Sequence, residues 1–409
     1  MLIVFIPILL LGISLFFNRL TFRAWDSPWS LYSFAWGLMV SLFLLGWVDF
    51  IPIQHSTWFA LILSYGAFLL GCCAALPARV SVPKAPIRFS EKKFLRLLLI
   101  CSLLGLVGLV LQMIHLERTM GLRLLLDDPA KARNLHTYVP VFGYFNLLNV
   151  CNPALMVLFW SLFKKFPKWF WCSIAIALLS ALISTDRTRL FYTVLWAVFV
   201  LVHRIGRSFS WRNWLALGGV GLVLIFFFLL IGDHFKRTYA ERWADVIHLP
   251  SSVQALTDPY IYLTGNIPAF QELMDRAPDP YLGKSTFLPF FEVLKPVLKV
   301  EDLPSLQGDL YGVPMEFNTY SYLQQFYLDF HWWGLFLGPF WCGLVVSWVF
   351  LKMKQRPDFL YLYWTSLFSF CVLISIFVNF FSQQATWFFL LLGPLFNWSI
   401  RDKQVPSRD

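Results

Sequence analysis

Charged side chains are scarce in this chain. Only 14% of its 409 residues are Asp, Glu, Lys or Arg, whereas 58% are hydrophobic and 19% are aromatic. A soluble domain carries about a quarter charged residues, so the composition excludes an ordinary soluble protein. The apolar residues come in blocks of about 16–25, the length that crosses ~30 Å of hydrocarbon. Because lipid offers no partners for backbone polar groups, each block is predicted to be a helix.

The chain also lacks a cysteine framework and the usual phosphate-binding and zinc motifs. All seven cysteines fall inside apolar blocks, so no disulfide and no CxxC metal site is predicted. Neither a Gly-rich phosphate loop nor an HExxH sequence is present. No cofactor is therefore predicted.

The apolar blocks predict an all-α polytopic membrane protein with about eleven transmembrane helices. No basic residue precedes the first block and no small-residue cleavage site follows it, so we expect a retained helix rather than a signal peptide. Three parts are predicted: helices one to eight at 1–231, a large extracytoplasmic loop of short helices at 232–331, and three helices with a short tail at 332–409. The predicted helices are 2–17, 29–47, 58–76, 95–114, 139–162, 169–183, 190–202, 214–231, 332–351, 359–379 and 385–399.

The basic residues indicate the orientation. With the N-terminus outside, the cytoplasmic segments and adjoining helix ends hold 20 of the 33 Lys and Arg but only five of the 23 acids. This asymmetry follows the positive-inside rule. It predicts a multi-pass bacterial inner-membrane protein with a periplasmic N-terminus and a cytoplasmic C-terminus, and it gives no reason to predict nucleic-acid binding. The cytoplasmic segments are 18–28, 77–94, 163–168, 203–213, 352–358 and the tail after 400.

The lengths of the loops limit where chemistry can occur. The predicted cytoplasmic loops are too short for a nucleotide-binding fold, which excludes an energy-coupled ATPase and a cytosolic glycosyltransferase. The long segment 232–331 faces outward. Helix-like pieces are predicted within it at 233–246, 260–275 and 286–299, separated by prolines. Any chemistry is therefore expected on the outer side.

Two arginines occupy the tight turn between the sixth and seventh predicted helices. Arg187 and Arg189 lie on the side that the positive-inside rule disfavours. Two guanidiniums held at the outer membrane surface suit bidentate binding of a diphosphate. The alternative is that they extend to lipid headgroups or pair with Asp186.

Two further outer groups of charges allow both a functional and an ordinary interpretation. The loop 116–138, which contains Arg133, is predicted to lie in the membrane interface or to form a solvated polar face. His234 and Arg237 follow the eighth predicted helix, where an ordinary charged helix end is the alternative.

Amides also occur inside the apolar blocks. Asn146, Asn149 and Asn152 recur every three residues on the fifth predicted helix. Such side chains either join neighbouring helices or line a wet cavity. The sequence leaves both interpretations open.

The outer loop is rich in aromatic residues, which suit either sugar rings or a packed cap on the membrane. At this point the chain resembles the oligosaccharide repeat-unit polymerases, that is, the Wzy-type O-antigen and capsule polymerases. Three stretches carry the likeness: the Arg-Thr turn at 184–189, Tyr260-Ile261-Tyr262-Leu263-Thr264-Gly265, and Asn318-Thr319-Tyr320-Ser321-Tyr322 followed by Tyr327-Leu328-Asp329-Phe330-His331-Trp332-Trp333-Gly334.

Departures from the family pattern are also present. Asp186 stands where a small residue is usual, and His331 replaces the Gly that follows Asp-Phe. Thr319 and Tyr320 appear in swapped order. Arg133, in contrast, sits where the family often carries a basic residue after the fourth helix.

The resemblance implies a GT-C-like architecture and a glycosyl transfer at the periplasmic face. A growing glycan on undecaprenyl pyrophosphate would pass to the non-reducing end of a new lipid-linked repeat unit. Membrane lipids and a chain-length regulator protein are further partners that it implies. The leaving group is a diphosphate, so stabilisation by cations is needed rather than a general acid.

The resemblance also implies roles for particular residues. Arg187 and Arg189, joined by Arg133 or Arg237, would bind the diphosphate without a metal, although Glu301, Asp302 and Asp309 remain alternative metal ligands. The acceptor hydroxyl needs a base, for which Asp329, His331 and His234 are the candidates. For Asp329 the alternative is a helix N-cap. Tyr260, Tyr262, Asn318 and Tyr320 are predicted to contact the glycan.

Three other functions compete with the polymerase. An O-antigen ligase uses the same donor with a lipid A core acceptor. A lipid-linked oligosaccharide flippase predicts internal repeats and charges at the bilayer midplane, and neither is apparent in the sequence. A scaffold that binds a partner through the large loop is the third.

Overall fold

The structure is a computed structural model. It describes residues 2–22, 24–77, 89–128, 131–132, 135, 143–184, 187–205, 219, 221, 244–276, 279–298, 303–304, 311–313, 316–356 and 358–402. Within these ranges the chain is mostly helical, with one pair of two-residue strands. The prediction of an all-α protein is therefore confirmed.

The helices are numbered here in chain order. They are α1 (Leu2–Phe22), α2 (Pro28–Phe43), α3 (His55–Ala74), α4 (Glu91–Thr119), α5 (Leu124–Asp127), α6 (Gly143–Phe163), α7 (Trp169–Ile183), α8 (Arg187–Ile205), α9 (Thr257–Thr264), α10 (Asn266–Arg276), α11 (Leu288–Leu298), α12 (Leu323–Gln355), α13 (Phe359–Ile374) and α14 (Gln384–Ile400). Short 3-10 turns occur at Ala244–Val246, Ser251–Leu256 and Phe380–Ser382. Strands β1 (Tyr311–Gly312) and β2 (Glu316–Phe317) pair antiparallel.

Four helices in the described ranges are long and apolar enough to cross a membrane, namely α3, α4, α6 and α12. Shorter apolar helices are Ile8–Phe22 within α1, and α7 and α13. These helices indicate association with a membrane.

Some predicted boundaries differ from the observed ones. Helix α4 extends beyond the predicted 95–114 at both ends. The predicted helix 359–379 ends at Ile374, and a separate 3-10 turn follows, for which the Asn379 side chain accepts a hydrogen bond from Phe381 N (3.1 Å). Most of the predicted helix 214–231 lies outside the described residues.

The chain divides into two compact units. The first contains Met1–Val82, Thr238–Gln355 and Cys371–Phe388, and the second contains Pro83–Arg237, Arg356–Phe370 and Phe389–Asp409. These units are interleaved along the chain. The predicted division at 231 and 331 refers instead to position relative to the membrane, and it stays a prediction.

Buried aromatic side chains form the centre of the first unit. Tyr32 of α2 stacks on Phe68 of α3, with ring centroids 3.8 Å apart. The Tyr32 hydroxyl lies 2.9 Å from the Tyr322 hydroxyl, next to the start of α12. Trp36 donates from its indole nitrogen to the Ser375 hydroxyl (3.0 Å). The rings of α2 thus pack on α3 and form hydrogen bonds to the residue before α12 and the residue after α13, which offsets the cost of burying their polar atoms.

Helices α3 and α12 pack at close range through two glycines. A Cβ atom at Gly71 would overlap the backbone oxygen of Phe340, and one at Gly343 would overlap the backbone oxygen of Phe68. Small residues at such positions allow the two backbones to approach closely, which is a common way for membrane helices to associate.

Helix α12 reverses direction near its start. His331 has φ 48° and ψ −127°, which is not helical. The Phe326 carbonyl lies where a side chain of Gly334 would be, and the Phe326 ring covers Gly338. In a straight helix Phe326 and Gly334 would be about 12 Å apart. Residues 323–330 therefore fold back against the beginning of the long part, 332–355.

One end of the first unit carries a cap. Residues of the loop between α2 and α3 bond to the chain before α9: Asp49 N donates to Val246 O (2.9 Å) and His248 N to Trp47 O (2.7 Å). Gln54 N donates to the Gln271 side chain on α10 (2.7 Å). Two segments predicted to be extracytoplasmic, the α2–α3 loop and the large loop, thus contact each other.

Segments predicted to be cytoplasmic also contact each other within each unit. In the first unit Lys354 forms an ion pair with Asp26 (2.8 Å). In the second, Lys165 pairs with Glu91 (2.8 Å) and Ser90 N donates to Ile400 O (2.9 Å). These contacts agree with the predicted grouping of loops by side.

Asparagine side chains join helices in the second unit. Asn149 donates to Gly105 O of α4 (2.8 Å) and to Asn146 Oδ1 (3.0 Å), which also accepts from the Ser180 hydroxyl of α7 (2.7 Å). The interhelical interpretation is confirmed for Asn146 and Asn149. Asn152 is buried, and no partner is found for its amide within the described residues.

We predict that Gly71→Ala disturbs the α3–α12 contact, because the new methyl group meets backbone atoms that cannot move independently. Overpacking of this kind costs about 1–3 kcal/mol. Gly66→Ala on the same helix is the matched control, since nothing lies within 4 Å of its Cβ position. Survival of the folded protein after heating in detergent, followed by size-exclusion chromatography, checks this. Equal survival of the two variants would contradict the close packing.

Candidate functional site

A buried carboxylate lies at the centre of the candidate site. Asp329 is fully buried, and its two oxygens accept hydrogen bonds from Ser285 N (2.9 Å) and Thr286 N (2.6 Å). The backbone adds two bonds nearby: Tyr281 N donates to Leu328 O (2.9 Å) and Leu282 N to Asp329 O (3.2 Å). Bonds to an ionised acceptor are stronger than neutral ones. The turn before α11 is therefore tied to the folded-back part of α12.

The next feature is the strained backbone of His331. A positive φ is costly for any residue with a Cβ, typically by about 1–3 kcal/mol at such φ and ψ values. The imidazole stacks on the Tyr327 ring (centroids 5.1 Å apart, 27° between planes) and remains partly exposed. Glycine, which the resemblance leads one to expect here, would adopt this conformation without strain.

Strain is concentrated around this turn. Among the described residues, Leu282, Ser321, His331 and Lys164 are the non-glycine residues with positive φ. The backbone N–H of Leu282 donates a hydrogen bond to the Asp329 carbonyl, and Ser321 lies two residues before α12. Such residues cluster at functional sites, because surrounding structure must hold them in place. Three of the four thus flank the segment 323–330.

Two of the predicted glycan-binding residues are buried. The Tyr260 hydroxyl donates to Leu42 O (2.9 Å) and accepts from Trp47 N (3.2 Å), and burial raises the pKa of Tyr260 to about 12. Tyr320 is fully buried and contacts the Tyr311 ring (5.5 Å). Neither ring offers a face to a sugar in this conformation, and both instead hold the cap together.

The other two are accessible. Tyr262 is half-buried with its ring 5.9 Å from that of Phe317, and Asn318, the next residue, is exposed. The α9 turn and the strand end thus bring Tyr262 and Asn318 to the same part of the cap.

The arginine pair belongs to the second unit. Arg187 is the first residue of α8, and Arg189 follows in the same turn, where its side chain is half-buried. A helix N-terminus carries positive partial charge, so the macrodipole disfavours cations in this turn. Two arginines here create a strongly positive position that suits an anion.

Several predicted residues lie outside the described residues, namely Arg133, His234, Arg237, Glu301, Asp302 and Asp309. Their roles stay predictions. In the part of the chain that the structure describes, no three His, Cys, Asp or Glu side chains lie close enough to hold a metal ion.

Comparison with known proteins identifies no relative of this chain. No protein-family model, curated protein or solved structure matches this chain. The resemblance to repeat-unit polymerases therefore stays a prediction, and the functional argument rests on the residues themselves.

The hydrogen-bond partners of Asp329, Ser285 and Thr286, were not predicted from the sequence. Ser285 and Thr286 precede α11, where Ser and Thr commonly begin helices. Gly283, with φ 91°, marks the turn before them. A Gly-x-Ser-Thr sequence before a predicted helix was the available signal for the turn. Nothing local, however, identifies a carboxylate 43 residues later as its partner.

We predict that Asp329→Asn destabilises the protein, because the amide NH₂ would face a peptide N–H that now donates to a carboxylate oxygen. Hydrogen bonds to charged groups contribute about 1.5–3 kcal/mol each. Asp279→Asn, at an exposed position in the same loop region, is the control. Thermal unfolding in detergent is the measurement. An unchanged midpoint for Asp329→Asn would show that the carboxylate does not hold the turn.

A second prediction concerns His331. His331→Gly removes the cost of positive φ and should raise thermal stability, whereas His331→Ala keeps the strain and loses the Tyr327 stack. The expected difference between the two variants is about 1 kcal/mol or more in favour of glycine. If alanine is as stable as glycine, the backbone at this position is not strained.

Proposed function

We propose that this chain is an inner-membrane glycosyltransferase that polymerises lipid-linked oligosaccharide repeat units at the periplasmic face. In this proposal it crosses the membrane about eleven times in a GT-C-like arrangement, with the cap outside. Contacts between segments of equal predicted sidedness support this topology, and the excess of Lys and Arg in the Asp26–Lys354 and Glu91–Lys165 ends supports a cytoplasmic location for those ends.

The observation that carries the proposal is the arginine pair in the first turn of α8. Both the positive-inside rule and the helix macrodipole disfavour cations at this position, which makes the pair a candidate for binding an anion. In our proposal this anion is the diphosphate of the lipid-linked donor, which two guanidiniums can bind in a bidentate way. Arg187 and Arg189 therefore hold the diphosphate of the donor in our proposal.

In the proposed reaction one bond to the anomeric carbon forms and another breaks. An acceptor hydroxyl oxygen bonds to the anomeric carbon of the donor's reducing-end sugar, and the bond from that carbon to the phosphate oxygen breaks. Undecaprenyl pyrophosphate leaves with the bonding electrons, and the guanidiniums stabilise the charge that develops on the bridging oxygen. The hydroxyl proton passes to a base on the protein.

Among the candidate bases in the first unit, we propose His331, on the contacts within that unit alone. Both oxygens of Asp329 already accept peptide hydrogens in a fully buried position, so Asp329 acts as a positioning residue for the turn. The imidazole of His331 is partly exposed beside this anchor and is held by Tyr327. Tyr262 and Asn318 are the accessible candidates for contacts to the glycan.

We expect Arg187→Ala and Arg189→Ala each to reduce polymerisation by about a hundredfold or more, as loss of one group that stabilises transition-state charge does. Arg204→Ala, at the other end of α8 and exposed, is the matched control and should retain activity. The measurement is the glycan ladder on a gel after expression in a strain that lacks its polymerase, with membrane levels of each variant compared.

The ladder also separates the competing functions. Loss of a polymerase leaves a single capped repeat unit, whereas loss of a ligase leaves bare core and polymer on its lipid carrier. Normal ladders from both Arg187→Ala and Arg189→Ala would reject the proposed diphosphate site.

A further inference from the structure

Helix α11 exposes an apolar stripe. Phe290, Val293 and Val297 are 51%, 66% and 76% exposed and occur at i, i+3 and i+7, so they share one face. Glu292 and Lys295 are also exposed and lie on the opposite face. A surface helix of a soluble domain turns its apolar stripe toward the core. In α11 the apolar face and the charged face are both exposed.

The start of α11 lies where the long part of α12 begins. The Asp329 carboxylate binds Ser285 N and Thr286 N, three and two residues before the helix. Residue 329 is two positions before the turn at His331, from which the long apolar part of α12 departs. Phe287 lies edge-on to Trp387 in the first turn of α14, with ring centroids 6.1 Å apart. α11 is thus attached at the end of the apolar part of α12.

Exposed aromatic residues mark the same level on α12. Phe330, Trp332 and Trp333 are 41%, 39% and 74% exposed at the beginning of its long part. Trp332 lies beside Phe59 of α3, with ring centroids 5.7 Å apart. Tryptophan and other aromatic side chains are enriched where membrane helices meet the headgroup region. We take this belt of Phe330, Trp332 and Trp333 as the headgroup level at this end of α12; Trp341 and Trp348 are also exposed further along the same helix.

We propose that α11 is an interfacial helix that lies in the plane of the membrane, with Phe290, Val293 and Val297 buried among the lipids and Glu292 and Lys295 directed to water. Its attachment at the aromatic belt places the stripe at the boundary between headgroups and acyl chains. An apolar face opposite a charged face is the arrangement by which in-plane helices bind this boundary. The partner is the lipid bilayer itself, so the inference does not depend on the proposed reaction.

Site-specific fluorescence in a bilayer tests the proposal. Single cysteines at 290, 293 and 297, and control cysteines at 292 and 295, are labelled with an NBD dye. The labels are introduced into the full chain with the exposed Cys73 and Cys172 replaced by serine. Each protein is reconstituted, one copy per nanodisc, in phosphatidylethanolamine and phosphatidylglycerol. Quenching by nitroxide-labelled lipid is compared with quenching by aqueous iodide.

We expect the ratio of lipid quenching to iodide quenching to be several-fold higher at 290, 293 and 297 than at 292 and 295. Equal iodide quenching on both faces would place the stripe in water and overturn the proposal. Protection of the stripe from both quenchers would show that protein covers it, which also overturns the proposal. Because the readout is optical, it is independent of whether the chain makes glycan ladders.

Discussion

The architecture of the first unit depends on one buried carboxylate that is satisfied by the protein backbone. Burying a polar group is costly unless it is hydrogen-bonded, and Asp329 meets this condition by accepting two peptide hydrogens from the turn before α11. The same interaction joins a cap segment to the folded-back start of α12. It therefore connects the position of the cap to the position of a membrane-crossing helix, and other contacts are built around this connection.

Close packing allows the fold-back beside this carboxylate. Gly334 and Gly338 leave room for the Phe326 backbone and ring, so residues 323–330 can lie directly against 332–355. The cost is concentrated in His331, whose side chain could be replaced by hydrogen with a gain in stability.

The sequence predicted the helices well where apolar blocks were bounded by charge, whereas the sides on which the loops lie stay a prediction. It did not reveal the reversal at His331, because the pattern of apolar and aromatic residues runs through this position without interruption. Aromatic content was equally ambiguous in the cap, since Tyr260 and Tyr320 are buried for packing while Tyr262 remains accessible. Long-range partners such as Ser285 for Asp329 are set by tertiary structure, which no local pattern records.

The reversal in α12 also brings the length of its long straight part close to the thickness of a membrane. A continuous helix of 33 residues would be about 50 Å long, well beyond the ~30 Å of a hydrocarbon core. Folding at His331 leaves 332–355 for the crossing, about 36 Å, which a modest tilt accommodates. The residues removed from the span enter the cap instead. In the proposed topology one peptide conformation thus sets the depth of this unit in the bilayer, and moving the turn by a few residues along the sequence would raise or lower the cap relative to the lipid surface.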